Sequence, residues 1–264
     1  MNPEVIDPAE LTADMPRDRG RLLLGLDVDG VLAPIVSRAE RSELLPGVLP
    51  VLRALAHYIP IAIVSGRSVD DLEHLYAFPG DVVVVGSHGL ETRGGPSVEL
   101  DEHEHLRLDT LRRLAAEAVV IAGVGAWIEY KPASVVLHVR QAAEQAGLRA
   151  SKWLVEAART IEGGHVKTGH AVVELLARST SKADAVERLR HHYGRAVVAF
   201  AGDDLTDEEV FAGLGPHDFG VRVGPGTTAA RYRLDGPPQV LEWLATLLAG
   251  FAEATDGRGR YYEL

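Results

Sequence analysis

Five short apolar runs punctuate the chain: Leu22–Leu26, Ile59–Val64, Val82–Val85, Ala196–Ala201 and Phe219–Val223. None alternates polar with apolar residues, and turn residues bound each one. That is the pattern of strands covered on both faces in a parallel sheet. Between them lie segments with helical spacing, Pro50–Tyr58, Val69–Tyr76, Lys182–His192 and Asp207–Leu214. Strand–helix alternation predicts an α/β core, a Rossmann-like doubly wound parallel sheet.

The middle of the chain follows another rhythm. Leu106–Val119 predicts an amphipathic helix, Ala126–Tyr130 and Ser134–Val139 two strands around Lys131-Pro132, and Ala142–Ala158 a second helix. Thr160–Lys167 and His170–Ala177 then flank a Thr-Gly turn, as in a hairpin. This predicts a small α+β unit inserted into the core, with cuts near Glu91 and Ser179. The expected organisation is a polar N-terminal arm (1–20), a core (21–90 and 179–264) and an insert (91–178). The arm and the tail DGRGRYYEL are expected to pack loosely.

Composition narrows the function classes. At 264 residues, with 46% hydrophobic and 25% charged positions, the chain has ordinary globular usage. Its net charge of −11 lacks the basic footprint of nucleic-acid binding and would be repelled by anionic membrane surfaces. With no cysteine, disulfide frameworks, thiolate zinc sites and cysteine nucleophiles drop out together. The most apolar stretch, Ala118–Ile128, is well short of the roughly 20 residues that span a bilayer. A cytoplasmic monomer acting on a small molecule is the expectation.

Four stretches carry candidate chemistry, each just after a predicted strand or at a helix start, where open α/β sheets bind ligands. In LLLGLDVDGVLAPI, Asp27 and Asp29 leave a strand two residues apart, so both are expected to reach one site, one as nucleophile and one as proton donor. In IAIVSGRSVDD, Ser65-Gly66 ends a strand and Ser68 with Asp71 caps a helix, an arrangement suited to an anion. In STSKADAVERL, Ser181 caps a helix whose first turn holds Lys182, against the helix dipole, which suggests a carboxylate or phosphate partner. In AVVAFAGDDLTDEEVF, Thr206 and Glu209 read as a capping box, which leaves Asp203 and Asp204 unexplained. Adjacent carboxylates repel without a cation, and an all-oxygen cluster with Asp207 favours Mg²⁺. Taken singly, these are also an Asp-Gly turn, an ordinary cap and a solvated lysine; their co-location carries the argument.

The order DxDG, SGR, Lys, GDDLTDE resembles the haloacid-dehalogenase superfamily of aspartate-nucleophile phosphatases. The stretches GSHGLE (Gly86–Glu91), IEYKPASVVLHVR, AVVELLARSTSK and VGPGTTAARYRLDGPPQVLEWLATLL narrow the resemblance to trehalose-6-phosphate phosphatases, over Leu22 to Leu248. The resemblance implies Asp27 as the nucleophile forming an aspartyl-phosphate, Asp29 as general acid–base, and Ser65, Gly66 and Arg67 around the phosphate. Lys182 would bridge nucleophile and phosphate. Mg²⁺ would be held by Asp27, the Asp29 carbonyl and Asp203, with Asp204 and Asp207 acting directly or through water. The insert would be a cap domain that closes over the site.

Within the insert, Glu129 and Lys131 share a strand face, as do His138 and Arg140; with Glu174 they are candidates for sugar contacts, beside a solvated face with cross-strand ion pairs. The resemblance weights Lys131 and Glu174. His88 is expected to line the hinge or simply to occupy a turn. Two departures stand out: Ala183 replaces the usual glycine after the lysine, and Ser87 stands where asparagine is common. Other sugar phosphates (sucrose-, glucosylglycerol- or mannosylglycerate-type), a phosphomutase and a catalytically silent sugar-phosphate-binding domain are the alternatives; loss of Asp27, Asp29 or Lys182 would mark the last, and all three are present.

Overall fold

All five residues of Leu22–Leu26 (β1) are buried, as an unbroken apolar run requires. They lie within a computed structural model that describes residues 2–16, 21–95, 100–169, 171–194 and 197–259, with side chains as far as 254. The chain divides into two compact units, residues 1–95 with 181–264, and residues 96–180.

In the first unit the strands run Tyr232–Leu234 (β11), Phe219–Val223 (β10), Val197–Gly202 (β9), β1, Ile61–Val64 (β2), Val83–Gly86 (β3) and Glu91–Thr92 (β4) across one sheet. Every neighbouring pair is parallel except β3 with β4. Successive residues of β1 feed opposite cores: Leu22, Leu24 and Leu26 pack with Leu52, Leu72 and Trp243, whereas Leu23 packs with Val64, Val186, Phe200 and Phe211. Burial of such a side chain contributes about 1.5–3 kcal/mol, so the sheet is anchored from both sides. Around it lie helices Val48–Ala56 (α2), Val69–Tyr76 (α3), Lys182–His192 (α6), Leu205–Gly213 (α7) and Pro237–Gly259 (α8). β1, β10, α3 and α6 begin and end where the sequence pattern puts them.

Three expectations for this unit need correction. The N-terminal arm is not loose over residues 2–16: Asp7 caps a short helix, Pro8–Ala13 (α1), and Leu11 and Met15 enter the core beside α8. Residues 17–20 lie outside the described residues. The tail is helical in backbone as far as Gly259, the rest also lying outside. At α7 the N-cap is Asp204, not Thr206. Its Oδ1 accepts from the N–H groups of Thr206 and Asp207, and Asp207 completes the capping box in place of Glu209.

The second unit pairs Glu102–Ala122 (α4) and Glu144–Ala158 (α5) with an antiparallel sheet of Trp127–Tyr130 (β5), Ser134–His138 (β6), Val172–Leu176 (β8) and His165–Gly169 (β7), in that order. Val135, Leu137, Val173 and Leu175 pack one face against Leu111, Ala115 and Leu154 of the helices. The opposite face carries the polar residues. The hairpin is shorter than expected, because Thr160–Gly164 is spent on turns that end α5; His170 lies outside the described residues. The first division falls at 95/96 rather than near Glu91 because Glu91 and Thr92 pair with β3. Among the described residues no helix is long and apolar enough to cross a membrane.

Candidate active site

The carboxyl ends of β1, β2 and β9 deliver Asp27, Ser65 and Asp203, and the first turn of α6 delivers Lys182. Lys182 is 1% exposed, and its Nζ donates to Asp27 Oδ2 at 2.7 Å and Asp207 Oδ1 at 2.8 Å, with Asp204 Oδ1 at 3.8 Å. Its place at N1 opposes the helix dipole; these carboxylates are the partners that offset the mismatch. Burial alone would lower its pKa, but Asp207 and Asp27 outweigh that and keep it charged.

Asp27 Oδ1 accepts from the Val28 N–H at 2.7 Å, so the carboxylate is fixed at both ends. Burial raises its pKa well above the usual carboxylate range, with Lys182 opposing and Asp207, Asp204 and Asp203 reinforcing. Asp207 is fully buried. Its Oδ2 accepts from the N–H groups of Asp203 and Asp204 at 2.9 and 3.0 Å, which folds the Asp203-Asp204 segment around it. Asp204 faces burial too, but Lys182 and the donors at the α7 cap prevail and lower its pKa to about 2. Its Oδ1 caps α7.

Asp203 is different. Among the described residues nothing donates a hydrogen bond to its carboxylate, and burial, then Asp207 and Asp204, push its pKa up to about 7. It rests against Gly30 (φ +78°), where an added Cβ would come within 2.2 Å of Oδ2, so only glycine fits the turn after Asp29. Oxygens of Asp27, Asp203 and Asp207 lie within 4.8 Å of one another. One ammonium thus faces four carboxylates, and the all-oxygen donor set suits a hard divalent cation.

Asp29 does not share Asp27's partners. β1 ends at Leu26, so strand alternation no longer governs residues 27–29, and Asp29 pairs bidentately with Arg67 (Nε to Oδ2 2.6 Å, Nη2 to Oδ1 2.8 Å). The Ser42 hydroxyl adds a third bond at 3.0 Å. Arg67, expected at the substrate, therefore has its guanidinium on Asp29. Ser42 escaped the sequence reading because no motif surrounds it; only the fold brings it there. Ser65 is buried and its Oγ accepts from the Arg67 N–H at 3.2 Å. The His88 ring lies over Gly66, where a Cβ would come within 2.7 Å of it, so His88 belongs to this loop cluster.

In the second unit, register places Glu129, Val136, Glu174 and Lys167 in one row across the sheet. Lys131 Nζ donates to Glu174 Oε1 at 3.3 Å, and Ser134 Oγ donates to the same oxygen at 2.6 Å. Glu129 meets His138 at 2.9 Å, and Trp127 stacks flat on His138 with centroids 3.9 Å apart. Burial would raise Glu129, but His138 and Lys131 hold it below the usual carboxylate range. Ser134 and Trp127 extend the predicted set, and the alternation that pairs them with Lys131 and His138 was the available signal. Arg140 lies beyond β6 and is exposed.

Asp27, Ser65 and Asp203 at the carboxyl ends of a parallel sheet, with Lys182 on α6 and an α+β unit inserted between β4 and α6, define an α/β fold that a solved trehalose-6-phosphate phosphatase related protein shares with TM-score 0.73 at 24% identity, over 88% of this chain and 99% of that one. The sequence profile of the trehalose-phosphatase family matches residues 25–238, and the chain belongs to that family. A trehalose-phosphate phosphatase of Mycobacterium tuberculosis is 32% identical over 245 residues, covering 86% of this chain and 61% of the relative. The chain thus spans about three-fifths of the length of the curated relatives it matches. The C-terminal domain of a C. albicans trehalose-6-phosphate phosphatase superposes with TM-score 0.76 at 24% identity, over 94% of this chain and 98% of that one. A Synechocystis sucrose-phosphatase shares the fold with TM-score 0.53 at 19% identity, over 86% and 98%.

Proposed function

We propose that this chain is a Mg²⁺-dependent phosphatase that hydrolyses trehalose 6-phosphate to trehalose and inorganic phosphate through an aspartyl-phosphate on Asp27. The observation that carries the reading is the Asp27–Lys182–Asp207 bridge at the strand ends. Buried ion pairs are poor stabilising devices, since desolvation consumes most of the Coulombic gain. One charged lysine among several carboxylates leaves the cluster short of positive charge, which suits a site completed by a divalent cation before a phosphate arrives.

In the first step an Asp27 carboxylate oxygen attacks phosphorus, the bond from phosphorus to the sugar oxygen breaks, and Asp29, protonated once released from its Arg67 pair, donates its proton to that oxygen. In the second, Asp29 takes a proton from water as the water oxygen attacks the phosphoryl group. Phosphate leaves and Asp27 returns as carboxylate. Lys182 neutralises the phosphoryl charge, and Ser65 with the Gly66 backbone holds an equatorial oxygen. Asp27, the Asp29 carbonyl and Asp203 would hold Mg²⁺, with Asp207 behind them; the bound ion would neutralise phosphoryl charge. The polar sheet face of the insert, with Glu129, Lys131 and Glu174, supplies hydrogen bonds for sugar hydroxyls. The family profile over residues 25–238 and the curated trehalose-phosphate phosphatase relatives support this substrate.

Rapid acid quench of the protein turning over radiolabelled trehalose 6-phosphate tests the nucleophile. Label is expected on the wild-type protein and absent from Asp27→Asn, and label retained by that variant contradicts the assignment.

A further inference from the structure

The turn between β3 and β4 is conformationally unusual. Ser87 (φ +49°) and His88 (φ +54°) are both left-handed, and Gly89 (φ +105°) follows. Non-glycine residues seldom adopt this region, and such strain persists only where surrounding contacts over-determine it. Those contacts lead to the phosphate loop. The Ser87 N–H donates to Arg67 O at 2.7 Å, and the His88 N–H to Ser65 O at 2.9 Å. The Ser87 hydroxyl donates to Glu91 Oε1. Glu91 Oε2 accepts the Val69 N–H at 3.1 Å, at the first turn of α3, where the helix dipole favours an anion. On the other side, Arg188 of α6 donates to Gly89 O at 2.6 Å, and α6 is the helix that carries Lys182.

We infer that Ser87 and Glu91 are positioning residues, whose hydroxyl–carboxylate clamp fixes the strained turn that holds Ser65, Gly66 and Arg67 in place for a phosphoryl group. The inference rests on the phosphatase reading and deepens it. Closing the hairpin does not require the clamp, because the backbone pairs Val85 with Thr92 and Gly86 with Glu91 already do so. What the side chains add is a tie from the turn to the start of α3. Between those two anchors lies the Ser65–Arg67 loop. Sequence alone gives Glu91 no such role, since it is one acid in a short edge strand.

Titration calorimetry with inorganic phosphate in the presence of Mg²⁺ tests this without turnover. The proteins are wild type, Ser87→Ala, Glu91→Gln, the double variant, and Glu73→Gln as a control whose carboxylate pairs with Arg93 on the surface. Phosphate affinity is expected to fall about tenfold in each single variant, the loss expected for a hydrogen bond to a charged group. The double variant is expected to be little worse than either single, because the two act as one unit. kcat/KM falls by the same factor, while Glu73→Gln matches wild type. A folded Ser87→Ala protein with wild-type phosphate affinity overturns the clamp; that variant decides alone should Glu91→Gln fail to fold. Phosphate binding by a wild-type protein that turns over no sugar phosphate overturns the phosphatase reading and leaves this comparison intact. A wild type that binds no phosphate overturns both.

Discussion

Asp203 is the residue at which burial, charge and function pull hardest against one another. It has no hydrogen-bond donor among the described residues, and burial with the carboxylates Asp207 and Asp204 outweighs the opposing pull of Lys182 and Arg222. Its folded pKa of about 7 lies above the usual 3.8, so in the metal-free protein its ionised form opposes folding. That penalty is fully present above pH 7, shrinks as pH falls through 7, and vanishes below about 4. Metal-free Asp203→Asn is therefore expected to melt higher than wild type at pH 8, with the gap closing towards pH 4. With saturating Mg²⁺ the order reverses, because wild type gains the ion's binding energy and the variant gains less. Calorimetric melts across that pH range, with EDTA and with Mg²⁺, check both signs. A variant that never exceeds wild type in EDTA would show that the Asp203 charge is not a burden.

At the scale of elements, α1 shows what sequence patterning misses. Of its buried residues Pro8, Leu11 and Thr12, only Leu11 is a large apolar side chain, too few for a periodic signal. Yet Leu11 is 0% exposed and sits in the main core beside α8. Leu11→Ala is expected to destabilise the protein by about 2–5 kcal/mol, read by chemical denaturation. A loss near zero would return residues 2–16 to the status of a loose arm. The elements with dense signals were legible: the unbroken runs of β1 and β10, and the Ser68 and Ser181 caps that start α3 and α6. α7 was misplaced by two residues because three acids and a threonine compete for one cap, and sequence cannot say that Asp204 wins. β4 and β11 are two and three residues long, below any periodicity. At the site, Asp27 stood out as an acid leaving a strand, Lys182 as a cation against its helix dipole, and Asp203 with Asp204 as acids that capping left unexplained, of which Asp204 proves to be the α7 cap. The Arg67–Asp29 pair and Ser42 were not, because they join residues 13 to 38 positions apart through tertiary folding alone.

For the molecule as a whole, fold and function part company at the sugar. The same architecture superposes on a trehalose-6-phosphate phosphatase domain and on a sucrose-phosphatase, so the parallel sheet and its insert do not select the substrate. The core unit carries the carboxylate–lysine chemistry, and the second unit carries a separate polar face of Glu129, Lys131, Ser134, His138 and Glu174. The most direct measurement is phosphate release from trehalose 6-phosphate beside sucrose 6-phosphate and other sugar phosphates, with Mg²⁺ and again with EDTA. The expected result is a strong preference for trehalose 6-phosphate that EDTA abolishes and restored Mg²⁺ recovers. Release that is indifferent to EDTA, or that favours another sugar phosphate, would contradict it.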